Sequence, residues 1–174
     1  MKTKAFIRMS LLLVATLFLF PFTAGASSED DVRNVVQQTF RQLQSQNYSA
    51  VYDSLPSMTQ KRMSRARFVS ALQRAQGRYS LDRISIGAVR VSGDIAVADT
   101  ELFGRVSSPI TAEGKIVVQQ YLIREGGKWR VATGDNATIS QFLKSNPTFA
   151  RKFPIRQPRV YIKQGERWVP FPMR

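Results

Sequence analysis

A chain of 174 residues with 26 Lys and Arg against 12 Asp and Glu carries a net charge of +14, a balance that bears on anionic partners and solubility and leaves the fold open. It has no His and no Cys, which excludes Ser-His-Asp and Cys-His catalysis, His-ligated metal sites and any disulfide. The length suits one domain with one core.

Lys2, Lys4 and Arg8 precede an apolar run from Leu11 to Phe20, broken only by Thr16. Pro21 ends the run, and Ala24-Gly25-Ala26 supplies small residues behind it. Basic, apolar and small-residue regions in that order are those of a secretory leader. The run is too short for a membrane anchor, since spanning takes roughly 20 residues. Residues 1–26 are therefore expected to be a cleaved signal peptide, with export to the periplasm or the exterior and no transmembrane segment left after cleavage. The remaining 148 residues keep 23 basic and 12 acidic side chains, a net of +11.

Ser28 and Asp31 stand at capping-box spacing, and Val32, Val35, Val36, Phe40 and Leu43 recur on one helical face. This predicts a first helix that Asn47 closes. Ala50 to Leu55 reads as a short second helix ended by Pro56. Ser64 suits the start of a third, with Phe68, Val69, Leu72 and Ala75 as its apolar stripe and Gly77 in the left-handed position after it. The periodicity then changes. Leu81–Val91 and Ile95–Val106 flank the turn signal Ser92-Gly93-Asp94, and Ser107-Ser108-Pro109 breaks the pattern. Lys115–Arg124 and Trp129–Thr133 flank Glu125-Gly126-Gly127, and Thr138–Lys144 is a last short helix before Pro147. Phe40, Leu72 and Trp129 are expected core positions. In the tail, residues 149–174, Val160–Lys163 and Arg167–Val169 flank Gln164-Gly165-Glu166 as a hairpin.

Helices first and antiparallel strands after them argue for α+β. The opening helix, the segment Asn47-Tyr48-Ser49-Ala50-Val51-Tyr52, the turn Ser92-Gly93-Asp94 with Ile95-Ala96-Val97, and Gly126-Gly127-Lys128-Trp129-Arg130-Val131 together resemble the nuclear transport factor 2-like superfamily. The resemblance covers about residues 29–144. It implies a curved antiparallel sheet wrapped around the N-terminal helices as a cone over residues 27–148. The tail's own residues add a basic C-terminal hairpin extension expected to dock on that domain. It implies a scaffold and no particular activity, because the superfamily holds dehydratases, isomerases, cyclases and binding modules.

Asp99 and Glu101 alternate with Ile95, Val97 and Phe103, so a regular strand points all five to one face. Inside a cone cavity, desolvation would suit such carboxylates to acid/base chemistry. Asp99, Glu101 and Tyr121 form the candidate catalytic set, with Gln119 beside them to hold a ligand. A bulge near Asp99 would instead turn both acids to water. A second constellation is charge: Lys61, Arg62, Arg65, Arg67, Arg74 and Arg78 fall in a window without an acid. Arg67 and Arg74 share a helical stripe there and are candidate ligands for an anion. The plainer reading is a solvated helix face. The third constellation is the tail, where Tyr161 and Trp168 suit a lid over the cone mouth, an edge hairpin on the sheet, or a partner contact.

The sequence thus favours a non-catalytic exported domain that binds a small molecule or an anionic envelope component. The alternatives are an isomerase- or dehydratase-like enzyme using a cavity carboxylate and a structural accessory domain. No cofactor, metal or nucleic-acid partner is expected, and a homodimer stays open.

Overall fold

The computed structural model describes residues 28–107 and 110–171. The leader expected at 1–26 lies outside them, as do Ser108 and Pro109 of the expected break.

Helix α1 (Ser28–Gln44) opens on Glu29, Asp30 and Asp31, charges suited to the positive end of the helix dipole, and buries Val32, Val36, Thr39 and Phe40. Gln46 turns the chain at a φ of 60°. Asn47 does not close α1. It opens α2 (Tyr48–Asp53), its Oδ1 accepting from the Ala50 N–H at 3.2 Å. A helix absent from the sequence reading follows, α3 (Ser57–Arg62), and then α4 (Arg65–Gln76), capped by Ser64 through the Arg67 N–H. Gly77 has a φ of −66°, so it continues right-handed backbone and does not supply the expected left-handed cap. Tyr52 joins these helices. Its hydroxyl donates to the Met63 carbonyl at 2.8 Å, and its ring packs 5.7 Å from that of Phe68. Nothing on α4 is fully buried, and Leu72, expected in the core, is half-buried.

The sheet has six antiparallel strands: β1 (Tyr79–Ser92), β2 (Ile95–Val106), β3 (Ala112–Glu125), β4 (Lys128–Val131), β5 (Arg159–Gln164) and β6 (Arg167–Phe171). Its order is β1-β2-β3-β5-β6, and β4 also pairs with β3. Two short strands therefore share one edge of β3. Strand β4 takes Leu122–Glu125 and β5 takes Gly114–Val117. Gly93, Gly126 and Gly127, at φ of 58°, 56° and 77°, make the tight turns at Ser92-Gly93-Asp94 and Glu125-Gly126-Gly127. Helices α5 (Asn136–Lys144) and α6 (Pro147–Lys152) lie between β4 and β5 in the chain. Pro147 opens α6, where its missing N–H costs nothing.

The expected cone is not what forms. The sheet is open and not strongly curled, with β1 and β6 as its edges. Helices cover both of its faces. Ala96, Ala98 and Leu122 pack with Val32 and Val36 of α1, Trp129 and Val131. The alternate residues Ile95, Val97, Tyr121 and Ile123 point the other way and pack with Ile139 and Leu143 of α5 and Phe149 of α6. Ile95, Ala96, Val97 and Ala98 are consecutive and all at 0% exposure, the mark of a strand buried on both faces. The α+β class holds, and the wrapping of one sheet around one set of helices does not. Among the described residues no helix is long and apolar enough to cross a membrane.

Candidate functional site

The cluster under α5 and α6 ends at Val97 and Tyr121. Beyond it the same face of the sheet continues through Asp99, Glu101 and Phe103 of β2. Register adds Arg83 of β1, opposite Phe103, and Gln119 and Lys115 of β3, opposite Asp99 and Phe103. Tyr161 of β5 stands opposite Lys115, and Trp168 of β6 comes next through its pairing with Lys163. Five strands thus contribute to one patch, which depends on irregular strand geometry. The register shift between Leu81 and Arg83 sets Arg83 across from Phe103.

Cations and rings are interleaved in this patch. The Arg83 guanidinium carbon lies 3.5 Å from the centre of the Phe103 ring. The Lys115 ammonium sits 5.4 Å from the Trp168 ring, 5.5 Å from Tyr161 and 5.8 Å from Phe103. Phe103 and Trp168 meet edge to face at 6.0 Å. Each ring presents its electron-rich face to a cation. Lys115 is 17% exposed and pairs with Glu101 at 3.3 Å, so its charge is used within the patch. Arg83 is exposed and has no carboxylate partner among the described residues. Contact with the ring restrains the guanidinium while the residue stays exposed to solvent.

The candidate catalytic residues reach this face but are committed elsewhere. Asp99 accepts from Arg90 at 2.8 Å and is 44% exposed. Gln119 donates to it at 3.4 Å, while the Gln119 Oε1 is buried without a partner. Glu101 is 41% exposed and held by Lys115. The Tyr121 hydroxyl donates to the Phe153 carbonyl at 2.8 Å, under α6. Burial pushes its pKa up, with Arg156 acting the other way and Asp99 adding a smaller upward push. The expected alternation of Asp99 and Glu101 is present and β2 has no bulge between them. Both carboxylates are solvated ion-pair partners on a sheet face, where the catalytic reading needs a desolvated cavity.

Arg67 and Arg74 are exposed on α4. Two cations of their window are neutralised: Arg65 by Asp53 at 2.5 Å and Arg62 by Asp135. Asp135 also caps α5 and accepts from the hydroxyls of Thr59 at 2.6 Å and Thr138 at 2.8 Å. Trp168 belongs to the patch, but as part of an edge hairpin that widens the sheet, not as a lid. Sequence reasoning missed Arg83 and Lys115, whose roles exist only once five strands are in register.

A cleft of about 690 Å³ lies between α1, α2 and the β3–β4 turn, with Asp31, Gln38, Gln42, Trp129 and Arg130 in its walls. Arg130 donates to the Asp53 carbonyl at 2.6 Å, while its Nε and the Gln42 Oε1 are buried without partners. Among the described residues no group of three or more acidic side chains is placed to hold a metal. No protein-family model matches the chain, and no curated protein matches it.

Proposed function

We propose that this chain is a non-catalytic exported binding domain, and that the cation–aromatic face of its sheet takes an anionic polysaccharide of the cell envelope. One observation carries the reading: the Arg83 guanidinium stacked at 3.5 Å on Phe103, beside Lys115 and the rings of Tyr161 and Trp168. A guanidinium fixed on a ring is pre-oriented for a carboxylate or phosphate and loses little freedom on binding one. Neighbouring ring edges offer apolar surface to the CH faces of sugar rings. Export is supported by the order of basic, apolar and small residues in the first 26 positions.

Titration with a uronic-acid oligosaccharide tests this, with neutral dextran as the control. Acidic sugar should bind, and raising the salt should weaken it. Arg83→Gln should weaken binding about tenfold to a hundredfold, as expected for a lost charged hydrogen bond. Equal binding of dextran, or an unaffected Arg83→Gln, overturns the reading. A single-stranded nucleic acid that binds more tightly and displaces the sugar would assign the face to a different polymer.

A further inference from the structure

A second surface lies at one end of the sheet, and different observations carry it. The two exposed large hydrophobic residues among the described ones, Tyr79 and Ile110, are both 38% exposed and both lie there. Tyr79 pairs with Val106, the last residue of β2, and Ile110 follows in the connection to β3. The Ser107 N–H donates to the Arg78 carbonyl at 2.9 Å and ties that connection to the start of β1. Cations stand close to the pair in the chain and the register. Arg78 adjoins Tyr79, Arg74 stands in the last turn of α4 before it, and Arg105 adjoins Val106; all three are exposed. None of them has an ion-pair partner among the described residues, whereas the nearby Glu113 is taken by Lys163 at 3.3 Å.

An apolar slot of about 180 Å³ opens at the same end, with Leu81, Leu102, Val106, Ile116 and Val160 in its walls and Arg78 and Arg105 at its margin. Gly104 and Gly114 stand opposite each other in the register there. A Cβ on Gly104 would come within 1.9 Å of the Ser80 carbonyl, so the backbones approach too closely for any side chain.

We propose that this end of the sheet docks on an anionic lipid bilayer, with Ile110 and Tyr79 entering the interface and Arg74, Arg78 and Arg105 pairing with headgroup phosphates. Charge alone would suit any polyanion. The exposed apolar pair and the slot give nothing to a soluble polyanion. A lipid surface is the partner that combines fixed negative charge with hydrocarbon a few ångströms beneath it, and it uses every feature of this end. Phe103 and Lys115 of the cation–aromatic face also line the slot, but Arg83 and Trp168 take no part in this inference, so the two readings are tested by different variants.

The chain has no cysteine of its own, so one introduced thiol reports one position. Ile110→Cys carries an environment-sensitive fluorophore, and Asp94→Cys, in the turn at the other end of β2, carries the same label as the control. Both proteins are taken in the form their native host produces. Vesicles of phosphatidylglycerol and phosphatidylcholine should blue-shift the label at 110 and leave that at 94 unchanged. Pure phosphatidylcholine should shift neither label, and salt should reverse the shift at 110. Changing Arg74, Arg78 and Arg105 to Gln together should weaken vesicle binding on the order of a hundredfold, at the typical contribution of one basic residue near an anionic surface. Arg83→Gln should leave it unaltered.

No shift at 110, equal shifts at 110 and 94, or equal response to the two vesicle types overturns the proposal. So does inorganic polyphosphate binding with the same arginine dependence while vesicles do not bind. The labelled single-cysteine proteins decide the matter even if the triple variant fails to fold.

Discussion

Asp135 shows how much one side chain can do in this molecule. It caps α5, and it receives Thr59 and Arg62 from α3 and Thr138 from α5 itself. Burial pushes its carboxyl up, but hydrogen bonds from Thr59, Thr138 and Arg62 outweigh burial and hold it at about 2, against an ordinary 3.8. A carboxyl whose pKa is lower in the folded than in the unfolded state adds stability at pH above 3.8. That contribution fades as the pH falls from 3.8 toward 2. The shift corresponds to about 2 kcal/mol. Asp135→Asn should cost about that much in urea melts at neutral pH. The wild-type advantage should disappear at about pH 2; an advantage that persists there would mean the carboxylate is not what holds α3 to α5. None of this network was legible beforehand. Its partners Thr59 and Arg62 lie on a helix of six residues, too short to show a period, so nothing in the sequence ties them to Asp135.

Elements were readable in proportion to their length and periodicity. Helix α1 spans 17 residues and carries its apolar stripe for the whole of it, so it was plain. Helices α3 and α6 have six residues each and were missed. The first β-turn and the glycine turn before Trp129 were legible from residue type, and so was the tail hairpin from Gln164-Gly165-Glu166. What the hairpin pairs with was not, since that depends on which edge of β3 stays free after β4 has taken its C-terminal end. An isolated hairpin is marginal in water, so β5 and β6 owe their order to β3. In return they supply two of the three rings around Lys115. Cutting the chain after Ala150 should therefore lower the melting temperature and strip acidic-sugar binding together. It should also speed hydrogen exchange at Gly114–Val117, the stretch of β3 that β5 covers. Unchanged exchange along that edge would show that the hairpin is not docked there in solution.

At the scale of the whole molecule, the run Ile95-Ala96-Val97-Ala98 held the information that the expected cone ignored. A strand that faces a helix layer on one side and water on the other alternates apolar with polar residues; this one does not, because helices cover both sides. The sheet is thus a shared wall between two apolar clusters, one with α1 and one with α5 and α6. Val36→Ala on the first side removes about two methylenes' worth of buried surface, roughly 2 kcal/mol with its cavity. Leu143→Ala on the second should cost about 3 kcal/mol. The two side chains have the sheet between them and share no neighbour in either cluster, so their costs should add to within about 0.5 kcal/mol. Yet both clusters are built on the same strands, β2 and β3, and neither can lose those strands without exposing the other. Urea unfolding should therefore remain a single transition in both single variants and in the double variant, followed by Trp fluorescence and by far-ultraviolet circular dichroism alike. Coinciding curves with additive losses are the expected result. If Leu143→Ala instead produced an early transition seen by one probe alone, α5 and α6 would be a separately melting layer, and the sheet would not couple the two halves of the fold.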